Sequence, residues 1–569
     1  MSQDQSLKKP AADASAAGKT GIWAGLSPVK QAVIATVFLA DFAWWLWIWR
    51  NPIWMKDDLL FVARSWDANH NFDIGAWLAK IPFDLGERNG RIADIFGELI
   101  FQSGPPLGVI MAMISVAFSV GLFFLGLELM GELRWPMRSR WFVPAFAIFA
   151  TMLPFVVEVV APGMVGSTYL FMSAAVGYLG GMALLAVLLA LYLRALRRGL
   201  QWKDLAWFIP LLVLVVLFHE GLALVTFGVT VVMPSAVGRA AWSARFWTFN
   251  SLLGLLSVGR FALPGMWARR EIMSEGDYKQ ELPSLQRLLV GAVTSVGEVS
   301  ASMRSLELVL NAGNTVFLVL AGVLLWRSAA ASRKIRVVYW AVVIINLGCL
   351  VPGMYLSRRF ILGLKSVGED TGAALTLATS KSTHLAELLL GFAGVAFLIC
   401  VVLLAGVPAW HLAGLAAVLP MFAWGIGAAT GIGSGRPMFF FAAFQVFVLV
   451  VMLAALIDAA GDSGLRGAGF LAKAGASVLV LVLVAGAGLA GREMWRTHVA
   501  VSQNIPAWNA LVAQVEAAHP GQSEPIVIHE VLPACRYALN YYGFSPDFHE
   551  KLLVAHGLPK RSVPFQVVK

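Results

Sequence analysis

Charged residues and cysteines are both scarce in this 569-residue chain. Asp, Glu, Lys and Arg make up only 13% of it, hydrophobic residues make up 59%, and the mean hydropathy is +0.74. A soluble core of this length could not hide so much apolar surface, which excludes a soluble globular protein. Cys349, Cys400 and Cys535 have neither disulfide nor metal-site spacing, so redox chemistry is not expected.

Several common signatures are also missing. Residues 1–30 contain no apolar segment of a cleaved signal peptide and are rich in Ala, Ser and Lys, which predicts a disordered cytoplasmic tail. No P-loop and no GxGxxG after a strand is evident, which argues against a nucleotide-linked substrate. No solenoid or inverted repeat stands out, which disfavours a secondary transporter without excluding it. The net charge of +10 fits Lys and Arg in cytoplasmic loops and at anionic headgroups, and nucleic-acid binding is not expected.

What the chain does contain is a series of long apolar runs. Since a crossing takes about 20 apolar residues, the sequence predicts an all-α polytopic membrane protein with about 13 transmembrane helices over residues 31–491. The expected spans lie near residues 31–49, 107–130, 141–160, 170–193, 205–218, 222–233, 246–262, 308–326, 337–353, 386–405, 412–428, 437–457 and 474–491.

The distribution of positive charge orients these spans. Arginine clusters near residues 134–140, 194–203 and 327–336 predict cytoplasmic connections, whereas residues 161–169 and 219–221 carry no Lys or Arg and are expected outside, with the long loop 50–106. An odd number of spans then places the C-terminus outside. Residues 492–569 return to soluble composition, with a helical stretch at 506–518 and a strand-like run at 525–529. We expect a small extracytoplasmic α/β cap there.

The first outer loop, residues 50–106, carries the most distinctive pattern. Its many Trp and Phe residues are typical of amphipathic segments with aromatic rings at headgroup level. Asp57 and Asp58 directly follow the first span. One of the two could act as a general base toward an acceptor hydroxyl while the other orients a donor or holds a cation. The alternative is a structural role at the positive end of a helix dipole.

Two further short motifs are expected on the same side. Asn89-Gly90-Arg91 reads as a turn into a helix, where Gly permits close backbone approach and Arg can clamp phosphate or sugar hydroxyls; it could equally be an ordinary surface turn. His219-Glu220-Gly221 separates two short apolar runs. Ionisable residues at such a depth are costly and therefore usually functional or paired.

Arginines near outer span ends could offset the charge of a lipid phosphate, although snorkelling to headgroups explains many such residues. Glu158, beside Pro162-Gly163, is a further candidate. The candidate arginines are Arg260, Arg269, Arg270, Arg358, Arg359 and Arg436.

Taken together, the acidic pair, the Asn-Gly-Arg, the His-Glu and the Pro264-Gly265 followed by arginines resemble bacterial GT-C-type integral-membrane glycosyltransferases, closest to the branch with O-antigen-modifying glucosyltransferases. The motif order covers the first two-thirds of the chain. The resemblance implies a bacterial inner-membrane enzyme that moves a sugar from a polyprenyl-phosphate donor to a cell-envelope glycan or glycolipid acceptor on the outer face. Asp57 or Asp58 would be the base. Such relatives often have Pro-Gly-Asn, whereas this chain has Pro264-Gly265-Met266, so a contact from that amide is in doubt.

The physical logic agrees with the resemblance, since a lipid-phosphate donor already carries an anionic leaving group that the arginines would hold. Asn89, His219 and Glu220 are further expected contacts to the phosphate or sugar of the donor. No cofactor is certain, although a divalent cation could bridge phosphate and carboxylate. The main alternative is a lipid-linked-sugar flippase or secondary transporter, which should place ionisable residues near mid-bilayer. An oligosaccharide polymerase or ligase, with one dominant late loop, is disfavoured by the acidic first loop.

Overall fold

The structure is a computed structural model, and the chain it describes is mostly helical. The described residues are 26–54, 58–59, 61, 72–88, 90–102, 106–132, 142–160, 164–170, 172–237, 242–265, 312–319, 321–323, 325–326, 332–367, 380–405, 439, 443–451, 468–529 and 546–568.

We number the ten helices of the first half in chain order. They are α1 (Pro28–Trp49), α2 (Ile74–Phe83), α3 (Ile92–Phe101), α4 (Leu107–Glu132), α5 (Phe142–Val160), α6 (Met164–Thr168), α7 (Met172–Arg198), α8 (Leu205–Phe218), α9 (Glu220–Val237) and α10 (Ala244–Arg260). Seven of the ten follow the predicted apolar runs, and the other three (α2, α3 and α6) lie in the connections between them. A π-helical turn, Asp84–Arg88, follows α2, and a second, Ala175–Gly180, lies within α7.

The second half is also helical, and it ends in a small sheet. Its elements are α11 (Ala312–Val323), α12 (Arg333–Val367), α13 (Lys381–Ala405), α14 (Ala468–Glu516), β1 (Ile526–His529), α15 (Pro546–Ala555) and β2 (Phe565–Val568). Residues 443–451 are helical as well.

Within the described residues, four helices are long and apolar enough to cross a membrane: α1, α4, α7 and the part of α12 from Arg333 to Phe360. They indicate a membrane-associated helical protein, but they are fewer than the 13 spans expected. One reason is length, because the 14 residues of α8 extend only about 21 Å against a hydrocarbon layer of about 30 Å. Another is that the expected span at 412–428 lies outside the described residues.

Helix α12 corrects one predicted boundary. A span ending at residue 353 was expected, but the helix contains Pro352 and continues to Val367. Proline in an apolar helix is tolerated where neighbours satisfy the freed backbone groups. The continuation keeps Arg358 and Arg359 inside a helix, whereas they were expected in an outer loop.

The core beneath the candidate site is aromatic and joins α1, α4 and the chain after α6. Trp45 stacks on Tyr169 with ring centroids 4.6 Å apart, and Phe118 meets the edge of Tyr169 at 6.4 Å. All three side chains are fully buried. Such pairs contribute roughly 0.5–1.5 kcal/mol each beyond their buried area, so this layer holds α1, α4 and the segment after α6 in a defined position.

The C-terminal part packs against the loop between α1 and α4. β1 and β2 form a parallel pair, and the predicted strand at 525–529 is confirmed within one residue. A buried apolar cluster, which we call the cap cluster, joins this part to the loop and to the start of α7. It comprises Ile53, Leu59, Ala174, Ala500, Trp508, Leu511, Val515, Ile526, Ile528, Leu552, Leu553, Ala555 and Val563. Leu59 and Ala174 place the cap directly beside Asp58 and Ser173.

Candidate functional site

Asp58 is fully buried, with 0% of its surface exposed. One carboxylate oxygen, Oδ1, accepts a hydrogen bond of 2.8 Å from the backbone N–H of Ser173. Ser173 lies in the first turn of α7, where unsatisfied N–H groups and the helix dipole favour a carboxylate. Asp58 therefore connects the loop between α1 and α4 to the N-terminus of α7, whereas the structural alternative had placed the pair at the start of the helix that directly follows it.

The chain between α2 and α3 forms a compact turn at the next motif. The backbone N–H of Gly90 donates to the carbonyl of Asp84 across 2.9 Å, and Gly90 adopts φ +64°, a left-handed conformation that favours glycine. α3 begins at Ile92, so the predicted turn into a helix is confirmed. The turn directs Arg91, immediately before α3, toward the junction of α8 and α9.

At that junction Arg91 meets Glu220, which is 129 residues later in the sequence. The Nε of Arg91 donates to Oε2 of Glu220 across 2.7 Å, and a second bond joins Nη2 to Oε1. Their side chains are only 12% and 19% exposed. A two-pronged guanidinium–carboxylate pair of this kind is both strong and directional, so it fixes the first loop against the α8–α9 junction.

The charge state of Arg91 follows from this partner. Burial alone would lower the pKa of the guanidinium, but the Glu220 carboxylate outweighs it and raises the pKa above its ordinary value, with a smaller contribution from Asp94. Arg91 is therefore a cation at every accessible pH.

His219 breaks the two helices and completes this junction. Its backbone is extended, with φ −154° and ψ 139°, which separates α8 from α9 by a single residue and confirms the predicted break. Its Nδ1 accepts from the N–H of Gly221 at 3.1 Å and lies 3.9 Å from Oε2 of Glu220. The ring also packs against Tyr178 at 4.7 Å. Tyr178 belongs to the π-helical turn of α7, so His219 connects the junction to the helix that binds Asp58.

Arg260, the last residue of α10, supplies a second cation. Its side chain is completely buried, and its Nη2 lies 3.9 Å from Oε2 of Glu220. A Cβ added to Gly90 would approach the Nη1 of Arg260 to 2.8 Å, so the glycine makes room for the guanidinium. Two cations thus converge on one partly buried carboxylate.

The Pro264-Gly265 motif packs against the backbone of the turn that contains Gly90. A Cβ on Gly265 would lie 2.8 Å from the backbone nitrogen of Gly90 and against the carbonyl of Leu85. Only a glycine permits two backbones to approach this closely.

We call Arg91, His219, Glu220 and Arg260 the charge cluster. Gly90 and Gly265 let its supporting backbones meet.

Three candidate residues lie elsewhere among the described residues. Glu158, buried in the last turn of α5, accepts a 2.7 Å hydrogen bond from the N–H of Val165 and so supports the N-terminus of α6. Arg358 and Arg359 are exposed on α12, and the structure does not bring them to the charge cluster. The remaining candidates, Asp57, Asn89, Arg269, Arg270 and Arg436, lie outside the described residues.

Sequence reasoning missed several contributors. Ser173 and Tyr178 belong to no sequence motif. Ser173 contributes a backbone N–H to Asp58 and Tyr178 contributes a ring to His219, and only the fold brings these pairs together. Asp41 was also missed, although a single acid within an apolar span is a visible signal. In the described part of the chain, no group of three or more His, Cys, Asp and Glu side chains could hold a metal ion.

Comparison with known proteins gave no match to a family model, to a curated protein or to a solved structure. The functional inference therefore depends on the chemistry of the chain's own residues.

Proposed function

We propose that the protein is a GT-C-type glycosyltransferase that moves a sugar from a polyprenyl-phosphate donor to an envelope glycan or glycolipid. The observation that carries this proposal is the charge cluster. Arg91, Glu220 and Arg260 come from three distant parts of the sequence and meet at one largely buried point. Helix α7 connects this point to Asp58, and we call the segment with Asp57 and Asp58 the aspartate loop. Polyprenyl phosphate is a lipid anion, and buried arginines are suited to bind such a phosphate.

The charge cluster would hold the departing phosphate. Glu220 orients the fork of Arg91 before the donor arrives, which removes part of the entropy cost of binding. In the donor complex the phosphate would share the two guanidinium groups with Glu220. Cations aimed at the leaving group stabilise the transition state in a site of low dielectric constant.

The two aspartates then divide their roles. Because Asp58 is fully buried and accepts a hydrogen bond from the N–H of Ser173, we give it the role of a positioning residue. We therefore assign the general base to Asp57, its neighbour. An acceptor alcohol must lose a proton as it attacks the sugar carbon, and a carboxylate placed within hydrogen-bond reach can take it.

The finer architecture belongs to the same proposal. The protein would sit in a bacterial inner membrane with its N-terminus cytoplasmic, its C-terminus outside and about 13 crossings, the shorter apolar helices packing as partial spans. The cap would lie over the site on the outer face, which the contact of Leu59 with the cap cluster supports.

A lipid-linked-sugar flippase or secondary transporter is the second candidate. The observation that favours it is Asp41, an acidic residue inside α1, because transporters place ionisable groups within their spans. The two candidates differ in chemistry, since a transferase breaks the bond between sugar and phosphate, whereas a transporter leaves the donor intact.

The test uses the full-length protein in liposomes with a panel of radiolabelled polyprenyl-phosphate sugars and an envelope glycolipid acceptor. We expect release of polyprenyl phosphate together with labelled acceptor. Asp57→Asn should reduce turnover by about a hundredfold or more. Asp73→Asn is the matched control, because Asp73 is an exposed acid in the same loop that caps α2, and asparagine caps helices equally well. Movement of intact donor across the bilayer without release would refute the transferase and support the transporter.

A further inference from the structure

Asp41 is the acidic residue of α1, and the structure places it well inside the helix. It lies eight residues before Trp49, the end of α1, which corresponds to about 12 Å along the axis. The residue as a whole is partly buried, but its Oδ2 atom is completely buried. Acidic residues at this depth are costly and are retained for a function or held by a partner.

Three polar side chains from α1, α4 and the chain after α6 surround this carboxyl. The hydroxyl of Ser119 and the indole N–H of Trp45 lie beside it, and the phenol of Tyr169 acts on it electrostatically. Ser119, Trp45 and Tyr169 are at most 1% exposed. We call these four residues the Asp41 cluster.

The hydrogen bonds of this cluster are incomplete. Among the described residues, the Asp41 Oδ2, the Ser119 hydroxyl, the Trp45 Nε1 and the Tyr169 hydroxyl have no partner at full hydrogen-bond geometry, although Ser119 and Trp45 lie close enough to Asp41 to act on its carboxyl. Buried polar groups are almost always satisfied, so four such atoms side by side require an explanation. A carboxyl that binds and releases a further species, and changes its hydrogen bonds as it does so, provides one.

The chemistry of the neighbours indicates which species this is. A metal cation needs several oxygen ligands, but the indole of Trp45 offers only an N–H donor, which faces the carboxyl with its positive end. No described Lys or Arg forms an ion pair with Asp41, so a carboxylate there would carry an unpaired buried charge. A proton removes that charge and needs no further ligand.

We propose that Asp41 is a proton-binding site inside the helical bundle, occupied near neutral pH. Its carboxylate takes a proton from water, forming one O–H bond, and returns the proton to water when it ionises. Ser119 of α4 and Tyr169 face the carboxyl from the neighbouring segments, and Tyr169 is the titratable group among them. The ionised form can accept hydrogen bonds from Trp45, Ser119 and Tyr169, so proton loss would draw these donors inward.

The site is connected to the candidate functional site along the chain. Tyr169 precedes by four residues Ser173, whose N–H binds Asp58. A shift of Tyr169 between the protonated and ionised states of Asp41 would therefore be felt at the aspartate loop. The proton site itself does not depend on the proposed transferase activity, because its argument uses none of the charge cluster.

Infrared spectroscopy of the full-length protein in lipid nanodiscs tests the proposal. Wild-type protein at pH 7 should show a protonated-carboxyl stretching band that shifts on isotopic labelling of aspartate and is lost in Asp41→Asn. Asp73→Asn, which alters an exposed acid, should leave the band unchanged. The isotope shift is measured on wild-type protein, so it shows whether an aspartate is protonated even if the variant fails to fold. A labelled wild-type spectrum at pH 7 without a protonated aspartate band would overturn the proposal.

Carbodiimide labelling supplies an independent readout. Dicyclohexylcarbodiimide reacts with protonated carboxyl groups in apolar surroundings, and mass spectrometry should find the adduct on Asp41 at pH 7 and lose it as the pH rises. Protection by Na⁺ or K⁺ that increases with their concentration at constant pH would show that Asp41 binds a metal cation as a carboxylate, and it would refute the proton site.

Discussion

Replacing Glu220 by glutamine removes one charge from the charge cluster with almost no change in shape. Glu220 lies 2.7 Å from the Nε of Arg91 and 3.9 Å from the Nη2 of Arg260. At an effective dielectric constant of 20, unit charges 3.9 Å apart attract by about 4 kcal/mol. Removing one partner of a buried pair costs roughly 3–5 kcal/mol because the other charge is left uncompensated. Since Glu220 is 19% exposed, solvent screening favours the lower end of that range.

We therefore expect Glu220→Gln to destabilise the protein by about 3 kcal/mol, measured by thermal or SDS-induced unfolding in detergent micelles. Glu550→Gln is the matched control. Glu550 forms a hydrogen-bonded ion pair with Arg561, whose side chain is 86% exposed, and we expect no measurable change there. If the two glutamine variants unfold alike and like the wild type, then Arg91 and Arg260 do not depend on Glu220, and the charge cluster is not a coupled unit.

Two further outcomes are expected. Gly90→Ala should reduce donor turnover and lower stability by about 1 kcal/mol or more, because alanine disfavours positive φ and its Cβ would displace the guanidinium of Arg260. Gly86→Ala in the same turn is the control and should retain activity, because a Cβ there meets nothing within 4 Å. Burial lowers the pKa of His549 and of His556, so folding favours their neutral forms, and the cap should lose stability as the pH falls below about 6.5. Hydrogen exchange of residues 546–568 between pH 7.5 and 5.5 measures this, and unchanged protection across that range would contradict it.

Local features of the fold were predictable wherever the sequence of one short segment determines its conformation. The apolar run at 205–218 is a helix with the predicted bounds, because fourteen apolar residues end at His219 and begin after a polar turn. The strand at 525–529 and the turn before Ile92 were likewise readable from short patterns. The predicted helix ends were wrong where a helix continues past a residue that usually ends helices. α14 runs unbroken for 49 residues from the expected last span through Pro506, since tertiary contacts can override local propensity.

The candidate site was predictable in its parts but not in its pairing. The Asn-Gly-Arg and His-Glu motifs were each recognised as carriers of chemistry, yet nothing in the sequence specifies that Arg91 and Glu220 form one bidentate pair across 129 residues. That pairing depends on how α3 packs against α8 and the π-helical turn of α7. The role of Asp58 was equally hidden, because its partner is a backbone N–H, which every residue except proline offers.

These contacts join the aspartate loop and the charge cluster to the same helix, α7. Asp58 binds the first turn of α7 through Ser173, and five residues later in the same helix Tyr178 packs on His219, next to Glu220. Because α7 makes both contacts, a movement of its first two turns would change the surroundings of Asp58 and of the α8–α9 junction together. The cap cluster also includes Ala174, between these two positions. The C-terminal part therefore contacts the helix that joins Asp58 to the α8–α9 junction. In the proposed transferase, this contact would let one covering element adjust the base and the phosphate-binding arginines together.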